Sequence, residues 1–302
     1  MNPYFKEYSD FLAEHFSGKI QKISIDLALG CPNRDGSLGR GGCIYCNNTA
    51  FSPDSDKSSF GVAAQIERGK QFFARKYPTM RYLAYFQSYT STYGAHPRLL
   101  KAYAEALADA DTVGIVIGTR PDCMPDELLS ELKKLAQESG KEILIEFGVE
   151  TMHDKTLEFI NRHHTAAQAR DAIMRTAHAG FSVGVHLILG LPGENEQMYF
   201  ETVDAVNSLP ISTLKFHQLQ ILEATPLASM YRDGLSVALF TPNAYADLCV
   251  KLLDRLRPDI AIDRFVAQAP AHLLIAPKWG LKNYEFREIL LRKLKEREAL
   301  RK

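Results

Sequence analysis

Six times in succession a short apolar run ends in a polar turn and gives way to a helix-length return. That rhythm constrains the fold of this 302-residue chain more than any other feature. The runs cover 22–29, 82–86, 112–117, 142–147, 182–189 and 213–217. Residues 61–76, 97–109, 125–138, 153–160, 166–179 and 195–208 carry apolar residues at helical spacing between them. Short apolar strands with long returns are the mark of a parallel sheet covered by helices. The expected fold is therefore α/β, an open or partial (β/α)6 TIM-type barrel, with a doubly wound sheet as the alternative. In both, ligands belong at the carboxyl ends of the strands. A lead-in helix is expected over 3–16. Beyond 219 the pattern loosens: a helix over 242–256 begins at Thr241-Pro242, a further strand fits 260–265, and 283–301 reads as a charged helix. The expected division is a lead-in over 1–18, the barrel over 19–220, and a C-terminal α/β extension over 221–302 packed on the barrel.

The loop after the first strand carries the chemistry. Cys31, Cys43 and Cys46 follow C-x11-C-x2-C, so three of five cysteines fall within sixteen residues, separated by Gly, Arg and Asp. Three thiolates gathered by a shaped loop make a soft-metal site for iron–sulfur or zinc. No fourth Cys or His stands nearby. A closed zinc site needs four ligands, so three leave one coordination position open. The competing reading is a zinc knuckle completed by a distant His96 or His186.

Composition narrows the class. Net charge is +0 and pI about 7.1, which gives no support to wholesale electrostatic binding of nucleic acid. The N-terminal residues are polar and mixed, without a signal pattern. No apolar run approaches the ~20 residues of a membrane span. Clustered cysteines favour a reducing cytoplasm and metal binding over disulfides.

With these residues on the page, the chain resembles the radical S-adenosylmethionine (radical SAM) superfamily. Most members carry C-x3-C-x2-C, and the long first gap here is similar to the Elongator catalytic subunit group and the YhcC-like group. Asn33-Arg34-Asp35-Gly36, Gly118-Thr119-Arg120-Pro121-Asp122-Cys123, Gly148-Val149-Glu150 and Ala276-Pro277-Lys278-Trp279 point to the YhcC-like group. The resemblance implies that Cys31, Cys43 and Cys46 hold three irons of a [4Fe-4S] cluster, and that S-adenosylmethionine chelates the fourth. Electron transfer then yields methionine and a 5′-deoxyadenosyl radical that abstracts a hydrogen atom. It further implies that Tyr45 packs on the adenine, and that Glu150 and Arg162 are polar contacts, Arg162 to the carboxylate. The Gly190-Leu191 turn would let backbone approach the adenine. The superfamily's Gly-Gly-Glu motif is absent after the second strand, where Gln87 and Ser88 stand as candidates for the amino group. An external electron donor of flavodoxin or ferredoxin type is implied, since no second cluster motif is present. The implied substrate is a tRNA wobble uridine; radical chemistry on a small metabolite and a non-catalytic zinc or iron–sulfur protein are the alternatives.

Other residues carry two readings each. Glu146 is read as a core-facing carboxylate paired with Arg120, or as a functional group. His163-His164 is a solvated pair or one substrate hydrogen bond. His186 is an interior or a functional histidine, and His217 and Gln218 are candidate substrate contacts. Cys123 is an incidental thiol or a substrate contact, and Cys249 is core. Trp279 is core or a base-stacking surface. The basic side chains of the last helix form a solvated, ion-paired face or a phosphate-contacting edge.

Overall fold

The computed structural model of the chain describes residues 2–50, 60–74 and 79–301. Helix α1 (Tyr8–His15) leads into β1 (Lys19–Ile25), and strand and helix then alternate: α2 (Val62–Ala74), β2 (Met80–Phe86), α3 (His96–Ala108), β3 (Thr112–Thr119), α4 (Asp126–Ser139), β4 (Glu142–Glu150), α5 (Asp154–Phe159), α6 (Ala166–His178), β5 (Ser182–Leu189), α7 (Glu196–Asn207) and β6 (Thr213–Gln218). The remainder holds β7 (Ile221–Leu222), α8 (Pro226–Arg232), α9 (Pro242–Leu253), β8 (Ala261–Arg264), β9 (Leu274–Ala276) and α10 (Asn283–Arg301). The helix boundaries follow local chemistry. Thr165 and Gln168 close a capping box at the start of α6, and Gly140, at φ 63°, ends α4 in the left-handed conformation.

One sheet has the order β1-β2-β3-β4-β5-β6-β8, every pair parallel. Its curvature is legible in side-chain contacts. Seven flat strands would hold the two edges roughly 29 Å apart, yet Lys22 Nζ on β1 lies 2.6 Å from Asp263 Oδ2 on β8. Likewise Lys215 Nζ on β6 donates to Tyr85 Oη on β2 at 3.0 Å. The sheet is rolled into a half-barrel, and the edges face each other across its interior.

Strand parity sorts the two faces. On β4, Ile143, Ile145, Phe147 and Val149 join the large apolar core under the helices, whereas Leu144 joins a small cluster with Phe11, Leu83, Val116 and Ala261. That cluster makes α1 the plug at the barrel floor. Above it the interior is polar.

The expected six-strand barrel is extended by a seventh strand, because the 260–265 run pairs with β6 as β8. The C-terminal part thus contributes to the sheet as well as covering it. The first strand spans 19–25 instead of 22–29. Its ladder stops at Asp26, whose N–H donates to Gln65 Oε1 and whose C=O accepts from Gln65 Nε2, both at 2.9 Å. The short antiparallel pair β7–β9 is also new. Residues 75 and 76 of the expected helix over 61–76 lie outside the described residues. Among the described residues no helix is long and apolar enough to cross a membrane.

Candidate active site at the strand ends

A cavity of about 230 Å³ opens at the carboxyl ends of the strands, and Cys31, Cys43 and Cys46 line it together with residues from β2 to β8. The cysteine loop holds its shape by stitching to the turn after α5. Asn33 Nδ2 donates to Asn161 O at 2.5 Å, Asn161 Nδ2 to Gly42 O at 2.7 Å, and Ile44 N to Ile160 O at 3.0 Å. Gly39 permits this closeness: a Cβ there would lie 2.5 Å from Asn33 Oδ1 and 2.6 Å from His163 Nε2. Ile44 also packs with Ile160, Leu157, Ile188 and Leu191 behind the loop.

The sulfurs face hydrogen-bond donors. Cys43 Sγ accepts from Asn33 Nδ2 at 3.4 Å and Arg162 Nη1 at 3.6 Å, and Cys31 Sγ from Thr90 Oγ1 at 3.5 Å. Arg34 donates to Cys46 O at 2.8 Å and lies over the Tyr89 ring. Burial, with the Cys43 thiol adding to it, pushes the Cys46 thiol up to about 11.

Arg162 is the hub of the neighbouring wall. It is buried, and its guanidinium reaches Glu150 Oε1 at 3.2 Å, Gly148 O at 2.5 Å and His164 Nε2 at 3.1 Å besides the Cys43 sulfur. Glu150 adopts φ 68° at a register shift between β4 and β5, which turns its carboxylate toward Arg162. Gly148 makes room for the pair, since a Cβ there would meet Arg162 Nη2 and Glu150 Oε1, each at 2.7 Å. Burial and the positive charge of Arg162 lower His164 to about 3, so it accepts as a neutral imidazole. The His163-His164 pair is thus divided: His163 is exposed, and His164 positions Arg162.

Below this wall lies a buried ionic floor. Glu146 accepts from Lys215 at 2.5 Å and Lys22 at 3.2 Å, and its other close contact is His186 Nε2 at 2.9 Å. Burial alone would raise the Glu146 carboxyl, but Lys215 and Lys22 hold it well below the usual carboxylate range. Burial brings Lys215 down to about 8 and takes His186 and His217 below the usual imidazole range. Glu146 therefore does not pair with Arg120. Arg120 instead forms a two-pronged contact with Asp122, both bonds at 2.9 Å, and donates to Arg162 O.

Several sequence candidates meet here. Tyr45, Gln87, Glu150, Arg162, His186, His217 and Gln218 line the cavity. Gln87 Nε2 donates to Ser24 Oγ at 2.9 Å. The Gln218 amide is held by Ala267, donating to its C=O and accepting from its N–H. Ser88, Gly190, Leu191 and Cys123 are not among the lining residues. Gly190 instead turns against Ala238 O, and burial pushes the Cys123 thiol up to about 12. Trp279 packs against Tyr245 and Phe286 and donates to Phe240 O, so it is a core residue. Cys249 is buried in α9. On α10, Arg287, Lys293, Arg292 and Arg297 pair with Glu7, Asp247, Glu296 and Asp254, a largely ion-paired face. Lys22, Tyr85, Lys215, Asp263 and Arg264 escaped the sequence reading. Lys215 had a usable signal, because it shares strand parity with His217 in an otherwise apolar run.

The donor set suits a soft cluster. Three sulfurs, each near a donor or a cation, face one cavity, and hydrogen bonds to sulfur are among the features that tune iron–sulfur sites. Among the described residues no three Cys, His, Asp or Glu converge closely enough to hold a single ion; cluster thiolates stand further apart than that. The histidines that would complete a zinc knuckle are committed elsewhere, His96 to Glu131 at 2.7 Å and His186 to Glu146.

Comparison with known proteins agrees with this chemistry. Residues 28–206 match the radical SAM superfamily and residues 211–296 the Radical_SAM C-terminal domain. Protein YhcC of Escherichia coli is 33% identical over 268 residues, covering 89% of this chain and 85% of that protein. A tRNA uridine(34) acetyltransferase of Methanocaldococcus jannaschii is 27% identical over 130 residues, covering 42% of this chain and 23% of that protein. The structure of Methanocaldococcus infernus Elp3 lacking its N-terminus superposes with a TM-score of 0.66 at 15% identity, over 93% of this chain and 64% of that one, a likeness of fold. The chain belongs to the radical SAM superfamily, whose enzymes work with a [4Fe-4S] cluster and S-adenosylmethionine.

Proposed function

We propose that this radical SAM enzyme modifies tRNA at a wobble uridine. The observation that carries the reading is the convergence of three cysteine thiols and the Arg162–Glu150 pair on one cavity. In this assignment Cys31, Cys43 and Cys46 hold the cluster, while Tyr45, Gln87, Glu150 and Arg162 receive S-adenosylmethionine. When bound there, the cofactors would supply one-electron chemistry that ends in hydrogen-atom abstraction from the substrate. The chain does the rest. Arg162, fixed by Gly148 O and His164, offers a planar cation to a carboxylate. Tyr45 supplies an apolar face, and the half-barrel walls restrict access of water. The reductant comes from outside, a flavodoxin or ferredoxin in the cytoplasm; the chain has no further cysteine cluster.

The tRNA reading draws support from the named uridine(34) relative and from the rim of the mouth. There Tyr89 is 40% exposed with Arg34 over its ring, a surface on which a base can stack. A single extruded nucleotide suits a small cavity better than a broad RNA footprint, which the neutral net charge does not provide. Mass spectrometry of tRNA nucleosides from cells with and without the gene should show one modified uridine missing and its precursor accumulating. An unchanged profile across growth conditions would assign the chemistry to a small metabolite.

The Arg162 assignment makes a separate prediction. Gly148→Ala places a methyl group where the Arg162 and Glu150 side chains now sit, so the KM for S-adenosylmethionine should rise roughly tenfold to a hundredfold, the worth of a charge-assisted hydrogen bond. An unchanged KM would remove this pair from the binding site.

A further inference from the structure

Most cations around the cavity have a partner. Arg120 pairs with Asp122, Arg162 with Glu150, Lys215 with Glu146 and Lys22 with Asp263, and Arg34 lies beside the cysteines. Arg264 does not. It lines the cavity from β8, half-buried, and among the described residues its guanidinium makes no hydrogen bond or ion pair. The adjacent Asp263 carboxylate is taken by Lys22 at 2.6 Å and Lys215 at 3.3 Å. The Arg264 charge still acts on Asp263, but three cations, Lys22, Lys215 and Arg264, share two carboxylates, Glu146 and Asp263, and an excess charge in a partly desolvated wall is costly unless something supplies the missing anion.

Its surroundings lack partners too. His217 lines the same wall, its ring 5.6 Å from that of His186, and makes no hydrogen bond among the described residues. Gln220 donates to Ala267 O and leaves its buried Oε1 unpaired. These groups stand on β6, β8 and the turn after β6, whereas the cysteines sit on the loop after β1, with Cys43 held against Arg162 beyond β4. One cavity therefore has a sulfur-lined side and a side with one cation too many.

We propose that Arg264, with His217 beside it, is the substrate's anion-binding residue, taking a carboxylate or a phosphate on the molecule that enters opposite the three cysteines. The assignment rests on the preceding reading of the cavity as the active site. It adds a chemical requirement to the substrate: a negative charge held at the β6–β8 side, while the atom to be modified faces the cysteine side. Arginine suits this work, since its fork matches both anions bidentately.

Three probes separate the two sources of charge: uridine; uridine 5′-monophosphate, with a phosphate; and orotidine, with a carboxylate on the base. Each is measured by equilibrium dialysis against the reconstituted protein with S-adenosylmethionine present. One of the anionic probes should bind about tenfold to a hundredfold more tightly than uridine. Preference for orotidine assigns a carboxylate, and preference for the monophosphate assigns the backbone. Arg264→Gln should abolish the preference, and Arg264→Lys, which keeps charge without the fork, should retain part of it. No preference in the native protein, or an equal preference in a folded Arg264→Gln, overturns the proposal. If none of the three binds, the nucleoside reading fails on its own. Inorganic phosphate and acetate, compared between native protein and Arg264→Gln, then judge the anion site by the same criterion.

Discussion

Protein carrying Cys43→Ala, reconstituted anaerobically with iron and sulfide, is expected to lose its brown cluster absorbance and to form 5′-deoxyadenosine at least about a thousandfold more slowly than the native chain. The size of the effect follows from geometry. Cys43 is buried, and its sulfur accepts from both Asn33 and Arg162, so its loss removes a cluster ligand and also leaves two donors facing a void. Two remaining thiols cannot replace a three-thiolate set. Cys249→Ala is the matched control. That thiol is buried in α9, and burial holds it protonated far above the usual thiol range, so its loss should cost roughly 1–2 kcal/mol of stability without touching the cluster. A Cys43→Ala protein that kept both iron absorbance and S-adenosylmethionine cleavage would sink the ligand assignment. A Cys249→Ala protein that lost them would show that folding, and not ligation, was being read.

What was legible in the sequence and what was not divides along the distance between partners. The strand–helix rhythm is a local pattern, and it gave the order of the barrel strands and the edge at which the cavity opens. The cysteine spacing is equally local. The ionic floor is not: Lys22 and Asp263 are 241 positions apart, and only the rolling of the sheet brings them together. The same limit explains the particular errors. Arg120 directly follows β3 and Glu146 stands on the neighbouring β4, so they looked like a pair, but Arg120 had a closer carboxylate two residues along its own chain. His163-His164 read as a solvated pair or one substrate hydrogen bond, yet the turn that places His163 at φ 59° buries His164 against Arg162. Residues that meet through backbone turns of this kind carry no periodic signal.

The floor also carries the largest expected effect on stability. Glu146→Gln should destabilise the fold by about 3–5 kcal/mol, lowering Tm by on the order of 10 °C. Glu146 is 3% exposed and serves two ammonium groups and one imidazole. Removing its charge leaves Lys215, Lys22 and Arg264 against Asp263 alone, and a buried pair broken on one side costs more than the pair itself contributes. The doubly substituted Glu146→Leu, Lys215→Met protein should recover much of the loss, because apolar groups of similar volume replace an ion pair at little cost. The pH dependence has a definite sign. Burial lowers Lys215 to about 8 in the folded chain, so the unfolded chain binds the extra proton between that value and the ordinary lysine range, and stability from this group rises with pH there. Without Glu146 the folded-state value falls further, so the relief begins at lower pH and grows larger. The stability deficit of Glu146→Gln should therefore be smaller at pH 9 than at pH 7 in denaturant titrations. A deficit equal at both pH values would show that Lys215 is not the group left uncompensated, and would move the burden to Lys22, which is less buried and keeps Asp263 at 2.6 Å.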